Sequence, residues 1–125
     1  MKKILIIDDE QDLLNASKIY LEQAGYQVFT AENGIEGLKL AHSKQPDLIL
    51  LDINMPEYDG YSIFHKLKDD KKTANIPIFI LTASEILKEA EMFFKLGVQG
   101  YLMKRWETER WIKKIEAVLE GQVKG

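Results

Sequence analysis

Five side chains suited to metal or phosphoryl chemistry each follow a short aliphatic run. Asp8 and Asp9, with Glu10 behind them, follow "ILII". Asp52 follows "LILL", with Asn54 two residues on. Thr82, then Ala83 and Ser84, follow "IFIL", and Lys104 follows "YLM". Carboxylates without His or Cys nearby are hard oxygen donors, which suit Mg²⁺ or Mn²⁺ and not zinc. Brought within a few ångströms, three such groups repel one another, and a hard cation among them relieves the repulsion. Mg²⁺ keeps several waters and is usually completed by a phosphoryl oxygen. A Lys ammonium and a Thr hydroxyl are the groups that would hold the other phosphoryl oxygens. A carboxylate beside the metal can itself be the nucleophile and form an aspartyl phosphate. Singly, each residue has a plainer reading. An Asp pair after a strand is usually a solvated turn or a helix cap, a strand-end Thr bonds its own backbone, and a lone Lys lies on the surface. The chemistry therefore needs four strand ends to meet.

The elements that would do this alternate between two periods. Aliphatic runs at Ile4–Ile7, Val28–Phe29, Leu48–Leu51, Ile76–Leu81 and Tyr101–Met103 read as strands. Between and after them lie stripes at helical spacing. These are Leu13, Ala16, Ser17, Tyr20, Leu21 and Ala24, closed by Gly25; Ile35, Leu38 and Ala41, opened by Asn33 and ended before Pro46; Ile63, Phe64 and Leu67, opened by Asp59; Ala90, Met92, Phe93 and Leu96, closed by Gly97; and Trp111, Ile115, Val118 and Leu119. The pattern is (βα)₅. Strands apolar on both faces and separated by helices predict an α/β protein with a doubly wound parallel sheet. Five strands favour the flavodoxin-like order 2-1-3-4-5 over a closed barrel, which needs about twice the length. In that order strands 1, 3, 4 and 5 are neighbours, and ligands bind outside their carboxyl ends. Strand 2, at the edge, offers only Thr30, Ala31 and Glu32.

The 125 residues allow one domain, expected over residues 1–120, with a polar tail at 121–125 that frays. A net charge of −3 argues against direct nucleic-acid binding, which wants a basic face. No apolar run approaches the roughly 18–20 residues of a membrane helix, and "MKKILIIDDE" is too short in its apolar part for a signal peptide. The absence of cysteine removes thiolate chemistry and disulfides and fits a cytoplasmic protein. His42 and His65 are expected on the surface, and "DDKK" at 69–72 as a solvated helix end.

The blocks "LIIDDE", "LILLDINMPEYDGY", "PIFILTAS" and "GVQGYLMK" carry a family likeness. From about Lys3 to Leu119 the chain resembles the receiver domain of two-component response regulators, most of all stand-alone receivers of the chemotaxis or phosphorelay type. The resemblance implies roles by position. Asp52 would be the phosphoacceptor. Asp9 would bind Mg²⁺ directly and Asp8 through water, with the Asn54 carbonyl as a further ligand. Thr82 would bond the phosphoryl group and Lys104 would pair with it. Thr82 and Tyr101 would form the switch pair, and Asn54 and Ser84 would tune the lifetime of the phosphoryl group. The phosphodonor would be a sensor histidine kinase or a His-containing phosphotransfer protein. A downstream protein would read the face made by the fourth helix, fifth strand and fifth helix, where Ala90, Phe94, Tyr101, Met103 and Ile112 suggest an apolar patch. The chain would be a monomer or weak homodimer, with no external substrate turnover.

One position departs from the family pattern. Receivers usually carry Pro after this Lys, preceded by a cis peptide, and here Arg105 stands instead. A cis bond before a non-proline residue costs roughly 2.5–4 kcal/mol, against about 0.5–1 before proline. Two outcomes are open: the site forces the cis bond and stores it as local strain, or the Lys104–Arg105 bond is trans and Lys104 is held differently or more loosely, with trans the favoured expectation. Arg105 is also the one feature that favours the alternative of a phosphorylation-independent interaction module. A hydrolase of external substrates would want an acid two residues after Asp52, where Asn54 stands. A dinucleotide binder would want glycines in the first turn, which reads "DDEQD".

Overall fold

A computed structural model describes residues 1–53, 60–83, 97–104 and 108–124. The strands are β1 (Lys3–Ile7), β2 (Gln27–Ala31), β3 (Leu48–Asp52), β4 (Ile78–Thr82) and β5 (Gly100–Met103). The helices are α1 (Gln11–Gln23), α2 (Gly34–Lys44), α3 (Gly60–Asp69) and a C-terminal helix, Thr108–Lys124. The sheet is parallel with order β2-β1-β3-β4-β5, as the alternating periods predicted. The stripe expected around Ala90–Leu96 and the start of α3 at Asp59 lie outside the described residues.

Alternation along the strands divides the core into two layers. Leu5, Ile7, Ile49, Leu51, Ile78 and Ile80 pack with Ile63, Phe64 and Leu67 of α3 and Ala41 of α2. Ile4, Ile6, Leu48, Leu50, Phe79, Leu81 and Leu102 pack with Leu14 and Leu21 of α1 and with Trp111, Ile115 and Leu119 of the C-terminal helix. Both faces are covered, so the strands read as unbroken aliphatic runs.

Two helix expectations need correction. In α1 the buried residues are Leu14, Ser17 and Leu21, while Ala16 and Ala24 are exposed, so the stripe is turned by about one residue. In α2 Ile35 is exposed, and the buried line runs Gly34, Gly37 and Ala41. Counting apolar side chains overlooked glycine, yet a Cβ at Gly37 would stand 2.6 Å from Ile7 Cδ1, so its absence lets the helix approach β1. The Asn33 cap is as expected, with its side chain accepting from Glu36 N at 2.8 Å. β4 begins at Ile78, later than the expected Ile76, because Pro77 has no N–H to give the ladder and Ile76 N donates to Thr73 O.

Candidate functional site

β3 and β4 each carry a polar residue as their last rung. Asp52 is aligned with Leu81 across β3–β4, and Thr82 with Met103 across β4–β5. Asp8 directly follows β1, and its N–H donates to Ala31 O at 3.0 Å. Asp8, Asp52 and Thr82 are all buried. Alternation puts Asp8, Asp52 and Lys104 in step with the layer that faces α1 and the C-terminal helix. Thr82 is in step with Ile78 and Ile80, on the other layer.

Lys104 gathers the site. Its backbone N–H donates to Thr82 O at 2.8 Å, which extends the β4–β5 ladder one residue past the strand. Its Nζ donates to Asp52 Oδ2 at 3.0 Å, Asp8 Oδ1 at 3.3 Å and Glu10 Oε1 at 2.9 Å. The side chain is only 9% exposed. Burial alone would lower the Lys104 pKa, but the bonds to Glu10 and Asp52 and the charges of Asp52 and Asp8 outweigh it and raise the value.

Asp8, Asp9 and Asp52 place one oxygen each within 4.8 Å of one another, so they can hold a metal ion. Asp9 is exposed, while the other two are sealed at the strand tips. Asp8 shows the strain of the arrangement. Its pKa is pushed from 3.8 up to about 7, chiefly by burial and then by the neighbouring Asp52, against the Glu10 N–H and Lys104. Glu10 N donates to Asp8 Oδ1 at 2.9 Å. Asp8 Oδ2 has no hydrogen-bond donor among the described residues, although Lys104 Nζ lies 3.1 Å away outside hydrogen-bonding angles. A buried carboxylate oxygen without a donor, inside a set of oxygen-only ligands, fits a hard cation such as Mg²⁺.

Asp8, Asp9, Asp52 and Lys104 are thus brought together by direct distances, with Thr82 one strand away from Asp52. Tyr101 is half-buried on β5, with Lys114 Nζ 4.5 Å from its ring centroid and 3.2 Å from its carbonyl oxygen. Of the expected apolar patch, Ile112 packs against the core and Tyr101 and Met103 are half-buried, while Ala90 and Phe94 lie outside the described residues. Asn54, Ser84 and the Lys104–Arg105 peptide also lie outside them. His42 is exposed, whereas His65 is half-buried, edge-on to Tyr61 at 4.4 Å. Two contributors were not singled out from the sequence. Glu10 is the closest partner of the Lys104 ammonium, and its position in "DDE" was the available signal. Gly60, the first described residue of α3, lies so near the Asp52 backbone that a Cβ there would lie 2.6 Å from Ile53 Cα and 2.9 Å from Asp52 O.

The fold and the carboxylate-lysine cluster at its strand tips define a doubly wound signalling domain with a candidate phosphoacceptor site. The response regulator receiver domain model matches residues 4–116, and the chain belongs to that family, the receivers of two-component signal transduction. It is 36% identical over 121 residues to Protein PilH of Pseudomonas aeruginosa, covering 97% of this chain and 100% of the relative. It is 40% identical over 119 residues to the DNA-binding dual master transcriptional regulator RpaA of Synechocystis sp., covering 95% of this chain and 49% of RpaA. The chain thus spans about half of RpaA and the full length of PilH. A CheY-like response regulator receiver domain protein from Methanospirillum hungatei superposes with a TM-score of 0.90 at 28% identity, covering 99% of this chain and 98% of that one. By family the chain is a non-enzymatic signalling module. Among the described residues no helix is long and apolar enough to cross a membrane.

Proposed function

We propose that this receiver is a phosphorylation-operated switch that takes a phosphoryl group onto Asp52 from a phosphohistidine of a sensor histidine kinase or His-containing phosphotransfer protein. The observation that carries it is the Lys104 ammonium, bonded to buried Asp52 at 3.0 Å beside two further carboxylates able to hold a cation. Asp8, Asp9 and Asp52, with the Asn54 carbonyl, are the proposed Mg²⁺ ligands. Bound there, Mg²⁺ would neutralise charge on the phosphoryl oxygens.

In the transfer an Asp52 carboxylate oxygen forms a bond to phosphorus. The P–N bond of the phosphoimidazole breaks, and its electron pair returns to the ring nitrogen. Lys104 moves one hydrogen bond from Asp52 to a phosphoryl oxygen while keeping Asp8. Thr82 bonds another oxygen from the opposite layer, and Tyr101 follows it inward. Asn54 and Ser84 are the proposed tuners of its lifetime. The consequence reaches the surface of β5 and the C-terminal helix, where a downstream protein would bind in the cytoplasm.

Incubation with phosphoramidate and Mg²⁺ followed by intact mass tests this. Wild type is expected to gain one phosphoryl group, and Asp52→Asn none. A wild-type chain that stays unmodified would point to an interaction module that works without phosphorylation.

A further inference from the structure

On the footing of the switch reading, we propose that Glu10 is a positioning residue, the anchor that keeps the Lys104 ammonium over the phosphoacceptor when a cation occupies the aspartates. Glu10 occupies the N-cap position of α1, where a side chain ordinarily accepts from the first turn of the helix. Its side chain makes no such cap bond. It reaches instead to Lys104 at 2.9 Å, the closest of the three carboxylates around that ammonium. Its backbone is fixed on both sides, since its N–H donates to Asp8 Oδ1 at 2.9 Å and its carbonyl accepts from Leu14 N at 3.1 Å. The carboxylate is therefore mounted on the same turn as the metal-competent pair, yet it stands outside the Asp8, Asp9 and Asp52 cluster.

That difference matters once a divalent cation is bound. Asp8 and Asp52 are then compensated by the cation, and their pull on Lys104 weakens. Glu10 is not claimed by the cation and keeps its full charge for the ammonium. The Glu10 side chain is 60% exposed, so its value lies in orientation more than in stability. A lysine held by Glu10 turns the proton that leaves Asp52 toward the incoming phosphoryl oxygens. Without Glu10, the flexible stem of Lys104 would carry the charge toward solvent.

The test pairs two readouts in wild type, Glu10→Gln, Lys104→Ala and the double variant. The first is acylation of Lys104 by an amine reagent, followed by peptide mass, with and without Mg²⁺. Lys68 is the internal reference, because its ammonium is bonded to Ala74 O and Ile76 O away from the site. With Mg²⁺ present, Glu10→Gln is expected to label at Lys104 about fivefold faster than wild type, with Lys68 unchanged. The second is the rate of phosphorylation by phosphoramidate at saturating Mg²⁺. Glu10→Gln is expected to slow it about fivefold, and to add nothing in the Lys104→Ala background. Equal Lys104 labelling in wild type and Glu10→Gln, or the same slowing without Lys104, overturns the anchor. If wild type takes no phosphoryl group, the switch reading fails, and the labelling arm alone still judges the anchor.

Discussion

Lys104 has three ammonium protons and stands among three carboxylates, Asp8, Glu10 and Asp52. Under the proposed function its role is split between compensating buried acids and meeting a phosphoryl group. Lys104→Met separates the two. Removing a fixed positive charge beside the aspartates should raise Mg²⁺ affinity several-fold, read by calorimetry, because cation and ammonium no longer repel. The same change removes a donor to the charge that develops in transfer and should slow phosphorylation on the order of a hundredfold. Weaker Mg²⁺ binding in the variant would contradict this account of the cluster. The aspartates, Thr82 and Lys104 were legible in the sequence because each is a polar residue ending an aliphatic run. Glu10 was not, since an acid after two acids at a helix start has an ordinary meaning as a cap, and only the fold brings the end of β5 to it.

At the scale of elements, the site depends on how closely α3 returns to β3. Gly60 N donates to Ile53 O at 3.2 Å, and a Cβ at Gly60 would meet backbone at Ile53 and Asp52. Backbone cannot rotate away as a side-chain tip can. Gly60→Ala should therefore cost about 1–3 kcal/mol in chemical denaturation, as overpacked positions do. It should also slow phosphorylation through the shift it forces on Asp52. A variant of wild-type stability and rate would mean that the α3 approach is unimportant to the site. The order of elements was legible because strand and helix periods differ sharply and the strands are buried on both faces. The faces of α1 and α2 were less so. Leu13 and Leu14 are adjacent in sequence, and only packing decides which is buried. On α2 the inward line runs Gly34, Gly37 and Ala41, and hydrophobic counting passes over its two glycines. Close approach is a property of two elements together, and neither sequence segment states it alone.

For the whole molecule, the buried cluster ties stability to pH and to metal. Folded Asp8 keeps its proton up to about pH 7, whereas its ordinary carboxyl value is 3.8. Between those values the folded chain binds more protons at this site than the unfolded chain. Stability from Asp8 therefore falls as pH rises, by up to about 1.4 kcal/mol per unit. Lys104 adds no slope in that window, because a raised lysine value leaves its contribution fully present below the ordinary value of 10.5. Asp8→Asn keeps the amide oxygen that accepts from Glu10 N and removes the titration. Without metal it should be the more stable protein at pH 8, by about 1–2 kcal/mol in urea, and the advantage should shrink toward pH 5. Saturating Mg²⁺ should reverse the order at pH 8, since a ligand bound only by the folded chain stabilises it, and the variant has lost one of its carboxylates. Parallel pH profiles for wild type and Asp8→Asn would show that Asp8 ionises as readily folded as unfolded, and the cluster would then carry no stored repulsion for a cation to relieve.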